Sequence, residues 1–284
     1  MMSFLYFILP AFGGYALTSL YLLKNPHVLH KRKRTSFSAR HISHRGGCGE
    51  RIESTMEAFT NAAEQGTQMF ELDCHLTHDG HVVVSHDENL LRQTGCDITI
   101  SSQNLQDMPL YKEKLEVTFN TGHSSSGSDR HFALLEDVFR KFPTMPISIE
   151  IKEDNIQLIQ KNDSLPYSFS MRRGVLLLLL FYTGLLPFVP LNESLLQFYL
   201  VRVMNRTFIP EQRILRNKLV VCLLEKVTMR KSLFKHLAAR GIQVHLFVCN
   251  SEEDIKAALE LGATGVMTDY PSLLTNYLCK NNLN

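Results

Sequence analysis

No C-x-x-C pair occurs among the six cysteines at positions 48, 74, 96, 222, 249 and 279. They read as reduced thiols in core or loops, not as a disulfide framework. Charge of either sign is nearly balanced: 30 basic against 28 acidic residues leave a formal net charge of +2, which does not point to nucleic acid. There is no internal repeat and no long low-complexity tract, and nothing indicates a protein partner. A basic n-region is also missing ahead of the uncharged stretch Ser3 to Leu23, which argues against a cleaved signal peptide. What remains is 284 residues, 44% hydrophobic and 20% charged, enough for one large α/β domain with a full core.

The chain is organised around ELDCHLTHDGHVVVSHD, Glu71 to Asp87. It reads as strand, turn, strand, with Asp79-Gly80 as the turn signal. A strand has a side-chain period of two, so Glu71 and Asp73 share one side of an otherwise apolar strand. Two such carboxylates repel each other and lose solvation unless a cation lies between them. Upstream, Ile42-Ser43-His44-Arg45-Gly46-Gly47 is a short strand ending in His, Arg and glycines. Downstream, Ile147 to Lys152 carries Glu150 and Lys152 two apart, again on one side. Strands with ionisable groups at their C-terminal ends predict the active face of a parallel α/β barrel.

Seven strands are predicted, at 41–46, 69–74, 81–86, 147–152, 166–170, 242–249 and 265–269, where a closed barrel of this type has eight. Phe198 to Met204 or Leu219 to Leu224 is a candidate for the gap. Leu219 to Leu224 reads equally as a buried strand or the start of a helix. Helices are predicted over Arg51 to Gln65, Leu134 to Phe142, 155–161, Val227 to Arg240 and 252–261. Ser124 to Ser128 is predicted as a flexible loop tip. His41, His75, His78, His81 and His245 have no motif partner and are expected in structural or surface roles.

Two uncharged stretches suggest a membrane. Ser3 to Leu23 is long enough to span one as a helix; it is followed by Lys24, Lys31, Arg32, Lys33, Arg34 and Arg40. This predicts a transmembrane anchor over 1–24, a basic linker over 25–40 that meets membrane lipids, and a barrel over 41–284 on the cytosolic side. Gly174 to Pro190, GVLLLLLFYTGLLPFVP, is short for a span. It is expected as a membrane-facing insertion that dips into the bilayer or covers the site.

The ordered set His44-Arg45-Gly46, Glu71-x-Asp73, His86-Asp87, Glu150-x-Lys152 and Thr268-Asp269-Tyr270-Pro271 resembles the glycerophosphodiester phosphodiesterase family over about residues 41 to 275. With its N-terminal stretch the chain is similar to the small single-anchor mammalian members, which are lysophospholipase D enzymes of endoplasmic reticulum and perinuclear membranes. The resemblance implies a TIM-like α/β barrel and a divalent cation, Mg²⁺ or Ca²⁺. It implies Glu71, Asp73 and Glu150 as metal ligands, with His86 in the same shell. His44 and His86 are implied as the acid–base pair, and Arg45 and Lys152 as phosphate-neutralising cations. The implied reaction converts a lysophospholipid to lysophosphatidic acid and a head-group alcohol. A soluble deacylated diester is the alternative substrate. The chain departs from the family in three places. Ser54 stands in Glu53-Ser54-Thr55 where the family has Asn. Phe247 replaces a Trp, and the chain has no Trp at all. One βα unit, roughly 30 residues by barrel arithmetic, is missing after Lys152, so the barrel is expected to lack its fifth strand. A catalytically inactive membrane-tethered variant is the reading that this last departure favours.

Overall fold

The computed structural model describes residues 2–151 and 165–283. In chain order the elements that position the site begin with helix α1 (Met2–Lys24), strand β1 (His41–Ser43), helix α2 (Met56–Glu64) and strands β2 (Met69–Leu76) and β3 (Val82–Val84). A small hairpin, β4 (Lys114–Glu116) with β5 (Ser124–Ser126), precedes helix α3 (Leu135–Lys141) and strand β6 (Ile147–Ile151). Then come helix α4 (Met171–Thr183), strand β7 (Leu195–Tyr199) and helices α5 (Lys218–Thr228) and α6 (Lys231–Ala239). Strand β8 (Gln243–Phe247), helix α7 (Glu252–Leu261), strand β9 (Gly265–Thr268) and helix α8 (Pro271–Lys280) complete the chain.

The sheet curls in the order β6-β2-β1-β9-β8-β7 with parallel pairing throughout. Strand–helix–strand alternation forces this, because a parallel neighbour is reached only through a crossover. Ser168 adds a single parallel bridge to Leu195 beyond β7, so the predicted strand 166–170 is reduced to a point of contact. β3 is not a member of the parallel ring. It runs antiparallel to the far end of β2, Cys74 to Leu76, because the Asp79-Gly80 turn is too short for a crossover. Of the two readings of Leu219 to Leu224 the helical one holds, within α5, and the strand beside β8 is β7, overlapping the other candidate only at Phe198 and Tyr199. Ser124 to Ser126 is a paired strand and not a loop tip.

Among the described residues nothing pairs with the outer edge of β6. That edge is where the sequence predicts the fifth strand to be lacking. Ile149 and Glu150 are consequently exposed, whereas the alternate residues of β1, β8 and β9 are fully buried. The predicted helix 155–161 and Lys152 lie outside the described residues. The core fills the rest of the ring: Leu233, Phe234, Leu237, Val244, Leu246 and Val266 pack on the side of β7 to β9, and Phe59, Phe70, Leu72 and Val138 on the side of β2 and β6.

The expected transmembrane anchor is not found; among the described residues no helix is long and apolar enough to cross a membrane. The C-terminal half of α1 instead docks on the barrel. Tyr15 Oη donates to Thr183 O at 2.6 Å, Ser19 Oγ to Gly184 O at 2.7 Å, and His236 Nδ1 meets Leu23 O at 2.8 Å. Residues 174–190 fall in α4 and the turn after it. α4 is the crossover from Ser168 to β7. Leu177 and Leu186 join the core while Val175, Leu179 and Tyr182 face outward.

The open edge makes a measurable difference. Amides of β6 are expected to exchange with deuterium faster than those of β1, which is paired on both sides. Equal protection in hydrogen exchange would mean that something outside the described residues closes the ring.

Candidate active site

The ionisable residues collect at the C-terminal end of the ring. His44 follows β1 directly. The chain there turns sharply: Arg45, Gly46 and Gly47 all have positive φ, at 50°, 77° and 88°. Gly47 has no alternative, since a Cβ would lie 2.5 Å from the Pro271 ring. This turn drops the His44 ring into the barrel and points the Arg45 backbone N–H at Glu71 Oε2, 3.1 Å away.

Asp73 and Glu150 are register partners on neighbouring strands. With Glu71 they bring three carboxylate oxygens within 4.8 Å of one another. Burial, then the charge of Asp73, pushes the Glu71 carboxyl up to about 7. Such a set is unfavourable alone and suits a hard cation, whose ligands are oxygens. His86 is not part of this converging group. It follows the end of β3, two residues after Val84.

Each histidine is held by a carboxylate. His44 Nδ1 is 2.6 Å from Asp269 Oδ1, and both side chains are buried. Asp269 also accepts from Asn250 Nδ2 at 2.7 Å and from Cys48 Sγ at 2.9 Å. Burial alone would raise its carboxyl, but His44 and these donors hold it below the usual range. His86 Nδ1 is 2.6 Å from Asp87 Oδ1. Asp87 is clamped in turn by Arg92 Nε at 2.6 Å.

Arg92 reaches on to Glu53, at 2.5 Å from Oε1. Glu53 also receives Gln93 Nε2 at 2.8 Å and the Arg45 guanidinium at 3.3 Å. Burial favours a neutral Glu53, yet Arg45 and Arg92 hold its carboxyl down to about 2. A single chain of charges, His86–Asp87–Arg92–Glu53–Arg45, therefore connects one histidine to the arginine beside the other. The Arg45 Nε is buried and has no hydrogen-bond partner among the described residues.

Of the residues predicted from sequence, His44, Arg45, Glu71, Asp73, His86 and Glu150 share this end of the barrel. Lys152 lies outside the described residues. His41, His75 and His245 are buried, and His78 and His81 are more exposed. His75 is structural in a specific way: it contacts Glu88 at 3.0 Å and the His86 carbonyl at 3.3 Å, supporting the loop that carries His86.

Sequence reasoning missed Glu53 and Arg92 as parts of the site and gave Asp87 and Asp269 no role, though both stood in quoted motifs. It also missed the aromatic wall. Phe119 meets the His44 ring edge-on at 5.3 Å and stacks on Phe208 at 4.3 Å. Tyr199 lies between Phe119 and Phe247, with Phe247 at 4.4 Å. Phe119 and Phe208 sit in irregular segments far apart in sequence, where no periodicity marks them.

Asp269→Asn tests the dyad. The rate is expected to fall about 10²-fold as the ring loses the partner that fixes its orientation and tautomer. An unchanged rate would show that Asp269 does not orient His44. In the metal-free protein, Glu71→Gln is expected to raise Tm at pH 8 and to have little effect near pH 5. A carboxyl raised to about 7 is neutral and unstrained at low pH, and its contribution is lost as pH rises through that value.

The sequence profile of the glycerophosphoryl diester phosphodiesterase family matches residues 44–175 and 200–273. The chain is similar to human lysophospholipase D GDPD3, 43% identical over 304 aligned positions covering 96% of each chain. It is similar to human lysophospholipase D GDPD1, 43% identical over 303 positions, again covering 96% of each. Both alignments are longer than the 284 residues of this chain, so each relative carries residues that this chain lacks. In fold the chain is similar to a glycerophosphodiester phosphodiesterase from Thermotoga maritima, at a TM-score of 0.53 and 19% identity. That match covers 85% of this chain and 99% of the other.

Proposed function

The chain belongs to the glycerophosphoryl diester phosphodiesterase family and is a phosphodiesterase, and on that premise we propose that it hydrolyses lysoglycerophospholipids at the head-group phosphodiester. The P–O bond to the head-group alcohol breaks, water supplies the new oxygen on phosphorus, and lysophosphatidic acid and a free alcohol such as choline leave. The observation that carries this reading is the buried, unpartnered Arg45 Nε beside three converging carboxylates and two carboxylate-held histidines. A phosphodiester needs an anion-binding donor, charge neutralisation and proton transfer in both directions, and these groups supply the chemistry for all three.

Glu71, Asp73 and Glu150 would hold Mg²⁺ or Ca²⁺, and a cation so held supplies neutralisation of phosphate charge. Arg45 binds a phosphate oxygen, its own charge fixed by Glu53 at its far side. Asp269 pins the Nδ1 face of His44, which leaves Nε2 to take or give a proton toward the substrate. Asp87, clamped by Arg92, does the same for His86 at its Nδ1. One histidine activates the nucleophile and the other protonates the departing alcohol. Lys152 follows β6 in sequence and is proposed as a second phosphate cation.

The lysolipid, as opposed to its deacylated counterpart, is favoured by the apolar surfaces of α1 and α4. Tyr6, Leu9, Phe12, Leu17, Leu20 and Tyr21 of α1 are exposed, and water is a poor solvent for them. We propose that α1 attaches the enzyme to a membrane. The membrane we propose is that of the endoplasmic reticulum or perinuclear envelope, on its cytosolic face, a reading supported by the basic residues after α1, which suit anionic lipid headgroups.

The full chain with added Mg²⁺ or Ca²⁺ is expected to release choline from lysophosphatidylcholine. Chelation, His44→Ala and Glu71→Ala should each reduce the rate by about 10² or more. Release only from glycerophosphocholine would replace this reading with that of a soluble-diester enzyme. No release from folded protein would mean that the open barrel has lost activity.

A further inference from the structure

The 22 residues from Ile209 to Arg230 form the outer flank of the barrel beside β7. They start at the mouth of the site. Phe208, which stacks on Phe119 next to His44, is followed at once by Ile209-Pro210. A short helical turn, Arg213–Arg216, then leads into α5. α5 has two faces. Val221 and Thr228 are buried, and Leu224 packs on the core. Tyr182 Oη of α4 donates to Val227 O at 2.8 Å, fixing the two helices side by side.

The other face is apolar and turned to solvent. Leu219 is 80% exposed and Leu223 64%, with Ile214 at 67% and Ile209 at 53%. Positions 219, 222, 223 and 226 fall on one stripe by helical spacing. The polar residues around this stripe are mostly basic: Arg213, Arg216, Lys218, Lys226 and Arg230, against Glu211 and a Glu225 already paired with Arg202 at 3.6 Å. An apolar stripe edged by cations is the composition of a helix that lies in the plane of an anionic membrane surface.

We propose that residues 209–226 are an interfacial docking surface for an anionic lipid bilayer, distinct from α1. Docking would seat Leu219 and Leu223 among the acyl chains with Arg213, Lys218 and Lys226 at the phosphates. Because Ile209 adjoins Phe208, this orientation presents the mouth of the site to the membrane, where a single-chain phospholipid can enter head first. That purpose rests on the lysolipid reading above; the binding itself does not.

The absence of tryptophan from the chain gives a test independent of catalysis. Leu223→Trp in the full chain places one fluorescent reporter on the exposed stripe, where it disturbs no buried contact. With vesicles of phosphatidylcholine and phosphatidylserine, its emission is expected to shift to shorter wavelength and to be quenched by brominated acyl chains. With Arg213→Gln, Lys218→Gln and Lys226→Gln added, vesicle affinity through this face is expected to fall about 100-fold, even where α1 still tethers the protein. A reporter that stays water-like on anionic vesicles, or is equally quenched after the three charges are removed, overturns the proposal. In parallel, Leu219→Glu with Leu223→Glu is expected to slow choline release from vesicle-borne lysophosphatidylcholine at least tenfold while sparing glycerophosphocholine hydrolysis. Reporter insertion without any lysolipid cleavage would leave the docking surface standing and remove the substrate reading.

Discussion

Three carboxylates forced together at the end of a parallel sheet set the terms for the rest of the structure. Glu71 and Asp73 share a strand face, and Glu150 joins them because β6 pairs in register with β2. Their mutual repulsion and lost solvation make this the least favourable spot in the barrel unless positive charge is supplied. The sharp turn after β1 answers part of that need by aiming a backbone N–H at Glu71. A bound divalent cation would answer most of it. The functional site is thus a place where the fold accepts electrostatic cost, tolerated because the rest of the core is well filled.

Around that cluster the protein builds a rigid frame out of opposite charges. Glu53 stands at its hub, buried and ionised between Arg45 and Arg92. Removing either arginine would leave a buried anion short of a partner, which is far costlier than losing a surface pair. The frame fixes two functional groups at once, the Arg45 guanidinium and, through Asp87, the His86 ring. On the opposite side Asp269 and Asn250 do the same for His44. Proton transfer needs rings that do not wander, and the site spends four charged or amide side chains on holding two imidazoles still.

Among the described residues the ring is incomplete, and this affects the site less than a missing strand suggests. The gap lies beyond β6, and β6 is itself anchored to β2 over five register pairs. Glu150 is left exposed but still reaches Glu71 and Asp73. The residues that hold both histidines come from β1, β3, β8, β9 and the loops after them, none of which borders the gap. Curvature is maintained by the strands that remain, because each is tied to its neighbour by backbone hydrogen bonds that do not depend on closure.

Local chemistry made much of this legible in the sequence. Period-two spacing put Glu71 beside Asp73, apolar runs ending in His44 and His86 marked strand ends, and the short interval after Lys152 marked the absent unit. The first two are properties of a few consecutive residues, so they survive without the fold; the third is an expectation about a stretch that lies outside the described residues. The sequence could not show that β3 turns back against β2, because pairing direction depends on where the neighbouring strands lie. Nor could it show that the uncharged N-terminal stretch packs its C-terminal half on the barrel, or that the ambiguous stretch at Leu219 is helical. Asp269, Asn250, Glu53, Arg92 and Phe119 became parts of the site only when the sheet curled and brought β9, β8 and three loops over β1. A carboxylate 225 residues away from the histidine it orients leaves no local pattern, since the force that joins them acts through space and the distance between them is set by tertiary structure alone.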